Sequence, residues 1–452
     1  MTIERALCGG LCLAALLTPS RAAANGRFPA TNHIVVAPKS PDTILLRTTY
    51  GLVLSKDHGK NWDWICEQAY SPSVALNTDP PVEVTGSSAL LLAKFDGLVR
   101  SGDTGCGWKP DATLKNQYIS DLVVRPDAPS EVLLVTSTYF TPDGGTDSGA
   151  SYASQVYRST DDGAQWSAVG APIDPSWITE TIEVAPSDPM RIYVSAARGF
   201  DASREGAIFV SMNGGQSWSQ FSFPLDTKTE TAPFVGAVDP KNPDRVYART
   251  GGKPLITYPD GGVAPPPSRL LVSDDGGKTW KPVLVAPDQL QGFALSPDGA
   301  TVYAGSTRLG LMRARATDLA FSQTSKIHVQ CLRATANELW ACSDDASGFV
   351  VGVSTDQGVS FDPRLHLDGL RAPLKCAPTS DTAICAQYFD PVCGLLGGCA
   401  TPDGGPIKPP PPPTPVPANA SSCGCDTTSA NGATGAGLLA LAIAAAMLRR
   451  RR

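Results

Sequence analysis

Charge is scarce in this chain. Asp, Glu, Lys and Arg together make up 18% of its 452 residues, too little to coat long surface helices. Basic residues are fewer than acidic ones, 37 against 43, and no Lys/Arg cluster occurs outside the extreme C-terminus. Phosphate binding needs clustered cations, so nucleic acid is excluded as a partner. Histidine is confined to four scattered positions, 33, 58, 328 and 366, and no cysteine spacing between 66 and 399 is C-x-x-C. Neither a zinc site nor a cofactor is therefore expected. The stretch DGGTD at 143–147 is the best calcium candidate, and it lacks the ligand density of a full loop. Glutamate is sparse, which weakens a paired-carboxylate glycosidase mechanism. Helical periodicity is missing too, which argues against a helical solenoid.

Turn formers are plentiful: the chain has 43 Gly and 40 Pro, a balance that favours strands and turns. One turn recurs. It is SKDHGKNW from Ser55, SGDTGCGW from Ser101, STDDGAQW from Ser159, SMNGGQSW from Ser211, SDDGGKTW from Ser273 and STDQGVSF from Ser354. All six fit S-x-[DN]-x-G-x-x-[WF], and their first serines lie 46, 58, 52, 62 and 81 residues apart. The last gap leaves room for a degenerate copy around RATDLAF, 315–321.

A second signature lies upstream of the turns: an apolar run, a proline turn and another apolar run. It reads IVVAPKSPDTILLRT from Ile34, LVVRPDAPSEVLLVT from Leu122, IEVAPSDPMRIYVSA from Ile182 and GAVDPKNPDRVYART from Gly236, with a looser copy from Phe293. Short β-rich runs around Pro, Asp and Asn read as hairpins. Each unit is thus strand a, proline turn, strand b, variable loop, strand c, the repeated turn, strand d. Four antiparallel strands per unit, repeated every 40–60 residues or so, is the pattern of a propeller blade. Seven units are expected over 25–366, ending near Trp62, Trp108, Trp166, Trp218, Trp280, Phe321 and Phe361. The fold class is all-β.

The repeated turn is similar to the Asp-box, or BNR repeat, of sialidases, sortilin-type receptors and the photosystem II assembly-factor family. The last of these is the nearest resemblance, covering about 26–361. It implies a structural role for Asp57/Trp62, Asp103/Trp108, Asp161/Trp166, Asn213/Trp218, Asp275/Trp280 and Asp356/Phe361. A side-chain oxygen at the third position can accept N–H groups of its own turn, the glycine allows positive φ, and the aromatic ring folds back between strands c and d. The alternative, a sialidase-like hydrolase, needs an arginine triad, a Tyr–Glu pair and an acidic acid/base. GRFP (26–29) resembles the sialidase Arg-Ile-Pro motif with Ile replaced, and no Tyr–Glu pair follows.

Antiparallel order places the repeated turns on one face and the long b–c loops, 137–154, 196–207 and 250–268, on the other. Loops on a rigid scaffold carry function more often than the scaffold does. Near the end of strand b stand Arg47, Lys94, Arg198, Arg249 and Arg308, which could ring the channel mouth and receive an anionic glycan or carboxylate. The plainer expectation pairs them with Asp96, Asp201, Glu205, Asp344 and Asp345.

Both ends read as targeting signals. Residues 1–24 form a cleavable secretory leader that carries Cys8 and Cys12. After a cysteine-containing extension, 367–400, comes a proline-rich linker, 401–422. Then follow Cys423 and Cys425, an apolar run and four arginines. This tail, 423–452, resembles the MYXO-CTERM sorting signal of myxobacterial surface proteins. It implies export, a membrane anchor helix and a sorting protease acting near Cys423 or Cys425. Eight cysteines remain between: Cys66, Cys106, Cys331, Cys342, Cys376, Cys385, Cys393 and Cys399. An even number in an exported chain favours disulfides. Cys331 and Cys342 flank a hairpin, and Cys376 and Cys385 have similarly local spacing, with the connectivity open. The sequence therefore describes an exported, surface-anchored propeller that binds an envelope protein or a glycan.

Overall fold

Short apolar runs separated by proline and glycine turns pair, in chain order, into seven four-stranded antiparallel sheets. The computed structural model describes residues 29–399, apart from 73–78, 141–150, 254–255 and 258–262. The leader, the 143–147 stretch, Gly26 to Phe28 of the GRFP motif, the proline linker, Cys423, Cys425 and the expected anchor helix lie outside the described residues. Among the described residues no helix is long and apolar enough to cross a membrane.

The blades run 31–65, 82–110, 119–168, 178–223, 230–286, 292–325 and 331–365. Each first strand packs against the first strands of its neighbours, and that of blade 7 (Cys331–Ala334) against that of blade 1 (Thr31–Val36). The ring thus closes around a central channel. Along an inner strand the period is two: Leu122 and Val124 are buried against blade 2, while the half-buried Asp121 and Val123 turn toward blade 4. The cores lie between blades. Leu133 and Val135 of blade 3 pack with Ile182, Val184, Ile192 and Val194 of blade 4. Each such aliphatic side chain contributes about 1.5–3 kcal/mol on burial.

The repeated turn has one geometry six times over. In blade 3, Ser159 Oγ donates to Asp161 Oδ1 (2.8 Å), Gly163 N–H donates to Ser159 Oγ (2.9 Å) and Gln165 N–H donates to Asp161 Oδ1 (2.9 Å). The same three bonds recur from Ser55, Ser101, Ser211, Ser273 and Ser354. Asn213 replaces the aspartate with its amide oxygen. Two successive residues take positive φ, such as Asp162 (58°) and Gly163 (75°). The residue before the glycine therefore turns left-handed as well, even where it is His58, Thr104 or Gln357. In four blades its N–H donates to the proline turn of the same blade: His58 to Asp42, Asp162 to Ser130, Gly214 to Met190 and Gly276 to Asp244. The glycine also faces the preceding blade. A Cβ on Gly163 would stand 2.6 Å from Leu91 Cδ2 of blade 2, and one on Gly105 2.7 Å from Ile65 Cδ1 of blade 1. The turn is thus a joint between blades as well as a clip within one. Trp108, Trp166 and Trp280 donate Nε1–H to the carbonyl of their own turn's glycine, whereas Trp62 donates to Arg364 in blade 7. The aromatic position accordingly serves the seam between blades too.

Residues 367–399 fold back on the start of the chain. Ala372–Pro373 adds a parallel fifth strand to the edge of blade 1, where Arg371 grips Asp63 at 2.8 and 2.9 Å. All eight cysteines are paired, as Cys66–Cys385, Cys106–Cys376, Cys331–Cys342 and Cys393–Cys399. The local spacing of Cys376 and Cys385 does not make them partners. The 3-10 turn Asp381–Gln387 sets Cys385 against blade 1, while Cys376 reaches Cys106 in the repeated turn of blade 2.

Candidate functional site on the loop face and channel mouth

The five strand-b cations do not form one ring. Register places Arg47 opposite His33 and Arg249 opposite Phe234, at equivalent levels of blades 1 and 5. Both belong to the charge environment of His33. Their guanidinium groups are committed to the chain: Arg47 to Asn32 and the carbonyl of Pro80, Arg249 to the carbonyls of Leu290 and Gln291. Lys94 pairs with Asp96 at 3.1 Å and Arg198 with Glu205 at 2.7 Å. Arg198 also lies 4.4 Å above the Trp177 ring, and Arg308 is exposed. Asp201 faces Lys253, Asp344 faces His328 and Asp345 faces His366.

The inner strands place other charges in the channel. Glu83 of blade 2, Glu183 of blade 4 and Arg333 of blade 7 share one register level, and Asp121 of blade 3 stands two residues nearer the loop face. Asp121 accepts the Ile182 N–H at 3.1 Å, which ties blade 3 to blade 4. Among the described residues, no salt bridge reaches Glu83, Asp121 or Glu183. Burial pushes the carboxyls of Glu83 and Asp121 up to about 7, and it holds Glu183 well above its ordinary value with help from Asp121 and Glu83. Burial, reinforced by Arg47, Arg333 and Arg249, pulls His33 down to about 3. The channel is thus polarised, with carboxylates on blades 2–4 and cations on blades 1, 5 and 7.

Sequence reasoning missed these residues, although a signal was present. PVEVT, ISDLVV, TIEVA and CLRAT each put one charge at the open position of an alternating inner strand. Glu180 is a further case. It is the extra residue of a bulge between Thr179 and Thr181, and bulges re-aim side chains. Its partners are Arg204 at 3.9 Å and the nearby Tyr118. Burial lifts its carboxyl to about 7.

Above this mouth the loops of blades 2–4 carry aromatic rings. Phe95, Tyr139, Phe140 and Phe200 are 68%, 59%, 40% and 72% exposed. Phe95 packs on Tyr118 with centroids 5.0 Å apart, and Tyr139 on Tyr152 at 5.9 Å. Large apolar side chains gathered on one face mark interaction surfaces. The opposite face also exposes Met190, Met212 and Val359, and it carries clefts. One, of about 630 Å³, lies between Arg100 and Lys109 of blade 2 and Gly163 to Trp166 of blade 3. A smaller one of about 270 Å³ repeats the arrangement between blades 4 and 5. Recurrence at equivalent seams makes these clefts a product of blade spacing.

Seven closed blades define the fold as a β-propeller. Residues 154–286 match the family model Sortilin-Vps10 (sortilin, neurotensin receptor 3). Among solved structures, an ancestral GH74 enzyme is similar with a TM-score of 0.53 and 15% identity, over 75% of this chain and 47% of that one. The chain thus spans about half the length of that enzyme, and the likeness is one of fold. YCF48 bound to D1 peptide matches at 13% identity and TM-score 0.40, over 69% of this chain and 90% of that one. The GH74 xyloglucanase from Xanthomonas campestris matches at 15% identity and TM-score 0.27, over 77% and 74%. No curated protein matches the chain.

Proposed function

We propose that this is an exported, surface-displayed propeller that binds an envelope protein or glycan through its loop face and performs no catalysis. The observation that carries the reading is the exposed aromatic group on blades 2–4. Held in water by a rigid ring, these side chains contribute nothing to the core and favour a partner that covers them. Four disulfides support an oxidising location. The leader, the linker and the tail with Cys423 and Cys425 support export followed by anchoring or processing. Arg47 and Arg249 are held by backbone carbonyls, which argues against these two serving in a sialidase-type arginine cradle. Crosslinking on intact envelopes, followed by pull-down with wild-type protein and Phe200→Ala, tests the reading. Recovery of one defined partner, lost in the variant, is expected. A polysaccharide whose reducing ends are released by the protein, and not by Glu183→Gln, would replace binding with hydrolysis.

A further inference from the structure

At the seam between blades 1 and 2 the chain itself occupies the space beside the repeated turn. Residues 371–382 run from the outer strand of blade 1 to the turn of blade 2. Arg371 and Leu374 donate their N–H groups to the carbonyls of Trp62 (3.0 Å) and Trp64 (2.7 Å), which extends a sheet edge by one strand. The Arg371 guanidinium pairs with Asp63. Leu374 packs where Gly105 has no side chain, since a Cβ there would stand 3.1 Å from Leu374 Cδ2. Asp381 then accepts the Trp108 N–H at 2.7 Å.

The cleft of about 630 Å³ between blades 2 and 3 is the same place one blade further on. Counted from the repeated turn, Trp108, Lys109 and Pro110 stand where Trp62, Asp63 and Trp64 do, and Trp166 stands where Trp108 does. Pro110 is no obstacle, because the equivalent edge is used through its carbonyls. The N–H of Trp166 has no hydrogen-bond partner among the described residues. The edge differs in charge, with Lys109 in the place of Asp63. Lys109 is exposed, and beside it Arg100 donates Nε–H to the Asp162 carbonyl at 2.8 Å. Neither cation forms a salt bridge among the described residues. The carboxylates lining the cleft are engaged by their own turns: Asp103 accepts from Ser101, Cys106 and Gly107, and Asp111 from Thr113 and Leu114. Such a turn tolerates a second carboxylate, because Asp381 already sits on the turn that Asp103 closes. At the seam of blades 4 and 5 the cation Arg191 is instead paired with Asp244.

Beyond the loop-face reading, we propose that the cleft between blades 2 and 3 docks an extended acidic segment of a protein partner. Its main chain donates to the carbonyls of Trp108 and Pro110. One acidic side chain pairs with Lys109, as Arg371 does with Asp63 at the first seam. A second accepts the Trp166 N–H, as Asp381 accepts that of Trp108.

The test is fluorescence polarisation on the full chain with two labelled peptides of residues 371–382. One carries Cys376→Ser and Arg371→Glu, the other Cys376→Ser alone. The first seam is closed to both probes, because Cys66–Cys385 and Cys106–Cys376 hold the chain's own segment there. Wild-type protein is expected to bind the glutamate peptide about fivefold more tightly than the arginine peptide. Lys109→Glu should reverse that order with an unchanged melting temperature, since Lys109 is a surface side chain. Asp381→Asn in the glutamate peptide should weaken binding about threefold, and 0.5 M salt should shrink the difference between the two peptides. No binding of the glutamate peptide, or an unreversed preference in Lys109→Glu, overturns the proposal. Loss of binding in Phe200→Ala also overturns it, by moving the peptide to the loop face. The envelope crosslinking with Phe200→Ala reads the loop face alone, so the two readings fail separately.

Discussion

Replacing Gly163 by alanine isolates the joint between blades. The new methyl group meets two separate obstacles. At φ 75° the backbone is left-handed, which costs an L-residue about 1–2 kcal/mol. The Cβ would also stand 2.6 Å from Leu91 Cδ2 in the neighbouring blade, and overpacking of this kind costs about 1–3 kcal/mol. The total is about 2–5 kcal/mol. With roughly 370 folded residues and about 2.1 cal/mol/K of unfolding entropy per residue, 1 kcal/mol shifts the melting temperature by about 1.3 °C. Gly163→Ala should therefore lower it by about 3–6 °C in scanning calorimetry with disulfides intact. Gly348 supplies the control, because its φ is 89° and nothing lies within 4 Å of its Cβ position. Gly348→Ala meets only the backbone term and should lose about 1–3 °C. Equal shifts in the two variants would refute the assignment of the repeated glycine to an inter-blade contact.

Thr104 takes the left-handed conformation at φ 59°, so Thr104→Gly should raise the melting temperature by about 1 °C; a decrease would show that its side chain makes a needed contact. Hydrogen bonds from Thr279 hold the Asp275 carboxyl down at about 2. A depressed carboxylate stabilises above its unfolded pKa, and that stability is lost as pH falls through the folded value. Asp275→Asn keeps an acceptor, as Asn213 does naturally, so its urea midpoint should fall below wild type at pH 7 and meet it near pH 2. Glu83 has the opposite sign: raised to about 7, it costs stability as pH rises through that value. Glu83→Gln should accordingly raise the urea midpoint at pH 8 and leave it unchanged at pH 4. Replacing Cys66 and Cys385 by serine opens a loop of 319 residues and should cost up to about 5 kcal/mol, against about 2 kcal/mol for the six-residue Cys393–Cys399 loop; equal denaturation midpoints would refute the closure role.

Blade number and strand order were legible because the repeated turn and the proline turn each use residue types with narrow backbone preferences. Serine, Asp or Asn, and glycine at fixed offsets can scarcely be read otherwise. The left-handed residue before the glycine was not legible, since His58, Thr104, Asp162 and Gln357 share no side-chain chemistry. Disulfide partners were hidden for a topological reason. Cys66 meets Cys385 only because the ring brings residues 319 apart together. The cation ring expected from Arg47, Lys94, Arg198, Arg249 and Arg308 depended on equating strand-b ends, and loop lengths differ between blades. The channel is set by inner-strand register, which a single Glu or Asp in a short apolar run marks too faintly to stand out.

The extension that returns to blades 1 and 2 also sets an order of events during synthesis. Cys66 and Cys106 emerge first, yet their partners follow 319 and 270 residues later. Throughout that interval the two early thiols must stay reduced or exchangeable, while the later Cys331–Cys342 pair can form at once across 11 residues. The first blades made are thus fastened only late, once Cys376 and Cys385 have been delivered.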